Sequence, residues 1–178
     1  MKEKIKNNFN LIIFVVTAVS MLIYSLRVVT NIGNDLNQDM IFTIIGWASF
    51  YATAALLIYG SIKNNFSKLL FYIFAFFLLG SVVGDVYGII QGRYSSIYYL
   101  ALEAGLFILF LLRELKPHKY VNVAFYIVFL TVVLMAVVPV LGGGFGSLAI
   151  AIQALTIAVI VIKKDLEIDN KKEESENE

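Results

Sequence analysis

Residues 66–90 read FSKLLFYIFAFFLLGSVVGDVYGII. One basic residue, Lys68, stands near the start of the stretch, and one carboxylate, Asp85, interrupts it near the end. A hydrocarbon core of roughly 30 Å is crossed by about 20 apolar residues of α-helix, each adding about 1.5 Å. The apolar run is of that length and shows no strict alternation of apolar and polar positions, so it reads as a membrane helix and not as a barrel strand. An aspartate inside such a helix needs a reason, because burying an isolated charge in a bilayer costs on the order of 3 kcal/mol or more.

The rest of the chain has the same character. Of 178 residues, 60% are hydrophobic and only 15% charged, too apolar for a soluble domain of this length. The charges collect at the two ends and in short breaks between apolar runs. Six runs emerge, at about 10–30, 40–62, 67–91, 95–115, 119–141 and 145–163. Short breaks make successive helices antiparallel neighbours. The expected fold is an all-α membrane protein, a six-transmembrane-helix bundle over residues 1–163, with a disordered charged tail over 164–178. The first run continues through Tyr24 to Val29 without a cleavage site, so it reads as an uncleaved span despite the basic KEKIKNN ahead of it.

Lysine and arginine orient the bundle. With the N-terminus inside, twelve of the fourteen basic residues fall on the cytoplasmic side, at Lys2, Lys4, Lys6, Lys63, Lys68, Arg113, Lys116, Lys119, Lys163, Lys164, Lys171 and Lys172. Only Arg27 and Arg93 fall toward the outside. Both termini are therefore expected in the cytoplasm, in the inner membrane of a bacterium. The chain has no cysteine, which excludes disulfides, thiolate metal sites and cysteine nucleophiles. A single histidine, His118, builds no histidine-rich metal site and reads as exposed in a cytoplasmic turn. No metal or cofactor is expected, and a net charge of +1 gives no reason to expect nucleic acid. Pro117 and the LGGGFGS after Pro139 mark turns.

The polar residues inside the runs converge by arithmetic. Asp85 lies roughly 9 Å below the outer end of the third run, and Glu103 roughly 12 Å below the outer end of the fourth, at about 1.5 Å per residue. The break GRYS makes these helices neighbours, so the two carboxylates sit at similar depth. Thr17, Ser20, Tyr24, Arg27 and Asn31 recur at spacings of three and four and form one stripe of the first helix. The expected site is an outward-opening polar pocket. Asp85 and Glu103 are its candidate catalytic pair, Arg27, Tyr24 and Tyr99 its binding residues, and Gln91 and Arg93 its rim. The bland alternative is that the cluster only holds helices together, with Arg27 reaching up to the headgroups. Gln153 and Thr156 read as interhelical hydrogen-bonding residues. Gly80, Gly84 and Gly88 form a small-residue stripe that admits a close helix, including one from a second copy of the chain.

At GSVVGDVYGII the chain resembles the YhhN-like membrane family, which includes lysoplasmalogenases. The resemblance rests on Gly84-Asp85 late in the third span, a basic break after the second, a short third-to-fourth connection, and the proline before a glycine-rich turn in VVPVLGGGFG. The family has about eight spans and a Ser-Asp pair in its later helices. This chain has six runs and no such pair, so only Asp85 carries over. The resemblance implies a hydrolase acting on a lipid. Three readings follow: an enzyme acting on a lipid or lipid-like small molecule; a non-catalytic partner subunit, sensor or binder; and a proton- or cation-coupled transporter, for which no inverted repeat or broken helix speaks.

Overall fold

The computed structural model describes residues 2–116, 118–142 and 145–176 of the chain, with side chains described for 8–30, 40–116, 118–142 and 147–168. The described residues are helical, with no strand. The helices are α1 (Lys2–Lys63), α2 (Leu70–Ile90), α3 (Ser96–Leu115), α4 (Lys119–Val137) and α5 (Phe145–Glu176), with a short 3-10 turn over Val138–Gly142. Six stretches are long and apolar enough to cross a bilayer: Asn8–Thr30, Met40–Lys63, Leu70–Ile90, Ser96–Leu115, Lys119–Gly142 and Ser147–Ile168. The chain has the character of a multi-pass membrane protein.

Helix α1 carries the first two spans. A straight helix would separate Tyr24 from Phe50 by roughly 39 Å at about 1.5 Å per residue. Instead their rings stack with centroids 3.8 Å apart. The Ser25 and Tyr51 hydroxyls are 2.8 Å apart, and Asn10 donates to Asn64 at 2.7 Å. The chain therefore reverses between Thr30 and Met40, and its two limbs lie side by side.

Two left-handed residues make the next tight returns. Asn64 has φ +52°, and the Asn65 amide bonds back to the Gly60 carbonyl at 3.1 Å. Gly92 has φ +79°, with its own amide on the Ile89 carbonyl and the Arg93 amide on the Gly88 carbonyl. That is a Schellman ending, which favours glycine because a side chain at positive φ meets its own carbonyl. It turns the chain from the third span into the fourth within a few residues, and so brings Asp85 and Glu103 onto neighbouring helices.

The helices close into a ring: α1 packs on α2, α2 on α3, α3 on α4, α4 on α5, and α5 back on α1. Its aromatic core, Phe74, Phe110, Phe125 and Phe129, lies toward the end bearing Lys63, Lys68, Arg113 and Lys119, here termed the basic end. In lipid such packing is driven by dispersion and close fit, since the tails outside are as apolar as the core. The sixth span is the most enclosed, with half of it buried against about a quarter of each of the others.

The sequence reading ends the last helix at 163 and leaves 164–178 as a disordered tail. In the structure α5 runs on to Glu176. The extension is held by side chains: Arg113 and Tyr126 both bond the Asp165 carboxylate, Lys164 pairs with Glu114 at 2.8 Å, and Lys163 pairs with Glu167 at 3.7 Å. Pro117, Gly143 and Gly144, read as turn residues, lie outside the described residues, as do the side chains of Asn31 and of 169–176.

Candidate functional site

A cavity of about 570 Å³ lies inside the bundle, in the half remote from the basic end, and takes lining residues from all six spans. The third span contributes Ser81 and Asp85, the fourth Tyr99 and Glu103. The first supplies Tyr24, the second Ser49 and Thr53, and the fifth and sixth Thr131 and Gln153. Two carboxyl groups and several hydroxyls thus face one space whose remaining walls are aromatic and aliphatic. Few polar groups converging in an apolar recess is the usual composition of a small-molecule site.

Glu103 is the most deeply placed of the ionisable residues here, with only 2% of its surface exposed. The Ser81 hydroxyl donates to its Oε1 across the third–fourth helix interface. Oε2 is buried and has no hydrogen-bond partner among the described residues. A buried polar oxygen left unmatched is costly, by about 1–3 kcal/mol and more when charged. Asp85 is only partly buried, and the Ser96 hydroxyl and the charge of Arg93 act on its carboxyl. The two carboxyl groups therefore share a cavity but not an environment.

The polar stripe of the first helix faces the bundle: Thr17, Ser20 and Tyr24 are all buried. Arg27 is not among the cavity-lining residues. Its guanidinium carbon sits 5.7 Å from the centroid of the Tyr24 ring. Gln91 donates to the Tyr87 hydroxyl at 3.2 Å, and neither it nor Arg93 lines the cavity, although Arg93 stands beside Asp85 through its charge. Of the seven residues expected to form the pocket, four line it; Arg27 lies by the Tyr24 ring, Arg93 acts on Asp85, and Gln91 bonds Tyr87, which is not in the wall.

The sequence reading missed part of the wall. Gln153 donates to the Phe50 carbonyl at 3.2 Å, the interhelical bond expected of it, and also borders the cavity. Thr156 instead bonds the Ile152 carbonyl of its own helix at 2.7 Å. Ser49, Thr53, Thr131 and Ser147 complete the polar lining. Their spacing of four in the second span, Ser49 to Thr53, was the available signal. Gly80 and Gly88 abut the chain's own Ser49 and Ser96, whereas a methyl group on Gly84 would meet nothing within 4 Å.

Among the described residues no group of three or more histidine, cysteine, aspartate or glutamate side chains is placed to hold a metal ion. His118 is exposed, where its ring accepts from the Tyr120 amide at 3.4 Å. No family model matches the chain, and no curated protein or solved structure matches it.

Proposed function

We propose that this protein binds a lipid or lipid-like amphiphile in its intramembrane cavity and acts on it as a hydrolase, with Asp85 and Glu103 as the acid–base pair. The observation that carries the reading is the sharing of one cavity by both carboxyl groups, with Glu103 Oε2 unpartnered. A water molecule attacking the scissile centre gives its proton to one carboxylate. The other, protonated, delivers its proton to the departing oxygen as the bond breaks, so that the elements of water are added across that bond. The mechanism requires the two groups to hold opposite protonation states. Arg27 above Tyr24 and Arg93 beside Asp85 supply positive charge near the rim for an anionic headgroup, with Tyr24 and Tyr99 contacting the ligand. The distribution of basic residues supports a bacterial inner membrane with both termini in the cytoplasm and the cavity in the outer half.

The test is hydrolysis of a lysophospholipid and of its vinyl-ether counterpart by protein purified into phosphatidylcholine nanodiscs. Turnover that disappears in Asp85→Asn/Glu103→Gln, with the helical content unchanged, is the expected result. Turnover that persists in the double variant removes the assignment. One observation favours a second reading, a non-catalytic binder or partner subunit. The Ser81 bond engages Glu103 as a helix-to-helix contact. Saturable binding of the same lipids without turnover identifies that case.

A further inference from the structure

At the depth of Asp85 and Glu103, most neighbouring spans are tied to each other. The first and second share the Tyr24–Phe50 stack. The second and third meet where Gly80 packs on Ser49, the third and fourth through Ser81 and Glu103, and the second and sixth through Gln153 and the Phe50 carbonyl. The fifth and sixth are joined by the turn Val138–Gly142, which packs on both helices. The fourth and fifth differ. Their ring contacts run through Phe110 against Phe125, with centroids 6.3 Å apart, and through Arg113, 4.7 Å from the Phe125 centroid. Both lie toward the basic end, and the apolar cluster that holds Leu106, Val132 and Val133, with Leu102 and Ala136 against it, continues the packing up to the depth of Glu103. At the level of Tyr99 the described residues show no ring contact, hydrogen bond or ion pair between these two spans.

The residues along that seam face two ways. Tyr99 lines the cavity yet is 43% exposed, and Leu134 and Val138, also in its wall, are 61% and 60% exposed. Phe76 and Ile150 in the wall are also partly open, at 37% and 36%, but Leu134 and Val138 are the most exposed of the large apolar lining residues and so mark the mouth. Leu134 lies eight residues before Gly142, roughly 12 Å below the end of the span at about 1.5 Å per residue. That depth is within the hydrocarbon. We infer that the cavity opens sideways into the bilayer between the fourth and fifth spans, and that an apolar chain enters past Tyr99, Leu134 and Val138 while its polar end reaches Glu103. The inference rests on the ligand-binding reading above and adds the route and the ligand's orientation. A ligand arriving this way never leaves the membrane and needs no aqueous channel.

Protein in phosphatidylcholine vesicles is exposed to a lysophosphatidylcholine with a diazirine midway along its acyl chain. It is irradiated at intervals, and the labelled peptides are mapped by mass spectrometry. The wild type is expected to label at Leu134 or Val138 and at the cavity residues Phe77 and Met135. Leu134→Trp/Val138→Trp narrows the seam and is expected to slow cavity labelling several-fold. Leu26→Trp, on the exposed face of the first span, leaves it unchanged. The milder Val138→Phe is run alongside and is expected to slow labelling to a smaller extent, which keeps the test intact if the double variant does not fold. Cavity labelling at the wild-type rate in both seam variants overturns the sideways entry while leaving the binding reading in place. Absence of cavity labelling in the wild type overturns both.

Discussion

The Ser81 hydroxyl reaches across from the third span to donate to Oε1 of Glu103 in the fourth. This bond fixes which way the most buried carboxyl group among the described residues points, within the wall of the cavity. Hydrogen bonds between membrane helices contribute about 0.6 kcal/mol on average and up to about 1.7. The pair should therefore show a coupling of about 1 kcal/mol in a cycle of Ser81→Ala, Glu103→Gln and the double variant. Unfolding in mixed micelles measures it. Strictly additive effects would mean that the two side chains do not meet in the membrane.

Asp165 accepts from both Arg113 and Tyr126, and the Arg113 side chain is only 11% exposed. Removing one partner of a half-buried pair leaves the other's charge short of hydrogen bonds, at a cost of about 1–3 kcal/mol. Asp165→Ala is expected to lose about that much stability. Glu114→Ala, which breaks only the more exposed pair with Lys164, should cost less than about 1 kcal/mol. Thermal melts of the two variants side by side decide this, and equal losses would contradict the burial of Arg113.

The glycines of the third span should divide by position. A methyl group at Gly88 would lie 2.5 Å from Ser96 Oγ and 3.3 Å from its Cβ. Gly88→Ala is expected to destabilise by about 1–3 kcal/mol through overpacking. It should also disturb Asp85, on which Ser96 acts. Gly84→Ala, facing open space, should be neutral or gain a few tenths of a kcal/mol from the stiffer helix. A destabilised Gly84→Ala would point to a neighbour on that face, such as a second copy of the chain.

The absence of native cysteine makes threading directly measurable. Cysteine introduced at Asn65 and at Tyr94, both exposed in breaks at opposite ends of the bundle, should react with a membrane-impermeant maleimide from opposite sides. With the basic end in the cytoplasm, position 94 labels in intact cells and position 65 only after lysis. Labelling of both from one side would break the six-span path.

The six spans were legible because each is a long apolar run closed by charge, glycine or proline. The meeting of Asp85 and Glu103 was legible too, since counting down two antiparallel helices from a four-residue break fixes relative depth. The walls from the fifth and sixth spans were not. In runs as uniformly apolar as VNVAFYIVFLTVVLMAVV, periodicity does not tell the lipid face from the cavity face. Asp165 was obscured by composition. DLEIDNKKEESENE looks solvated as a block, although Ile162, Leu166 and Ile168 carry the apolar pattern past the two lysines. The placement of Arg27 turned on a side-chain choice, between reaching down to a carboxylate and lying near the Tyr24 ring, that spacing alone does not make.

The enclosed position of the sixth span has a bearing on biogenesis. Chains insert from the N-terminus, so the helix with the greatest buried share follows the other five out of the ribosome. Until it docks, the Phe50 carbonyl has not yet met Gln153, and the Arg113 guanidinium has not yet met Asp165. A nascent protein halted after its fifth span is thus an unfinished vessel with charge and carbonyl oxygen showing, the kind of surface that membrane proteases and insertases sample. Docking of the sixth span and closure of the cavity become the same event.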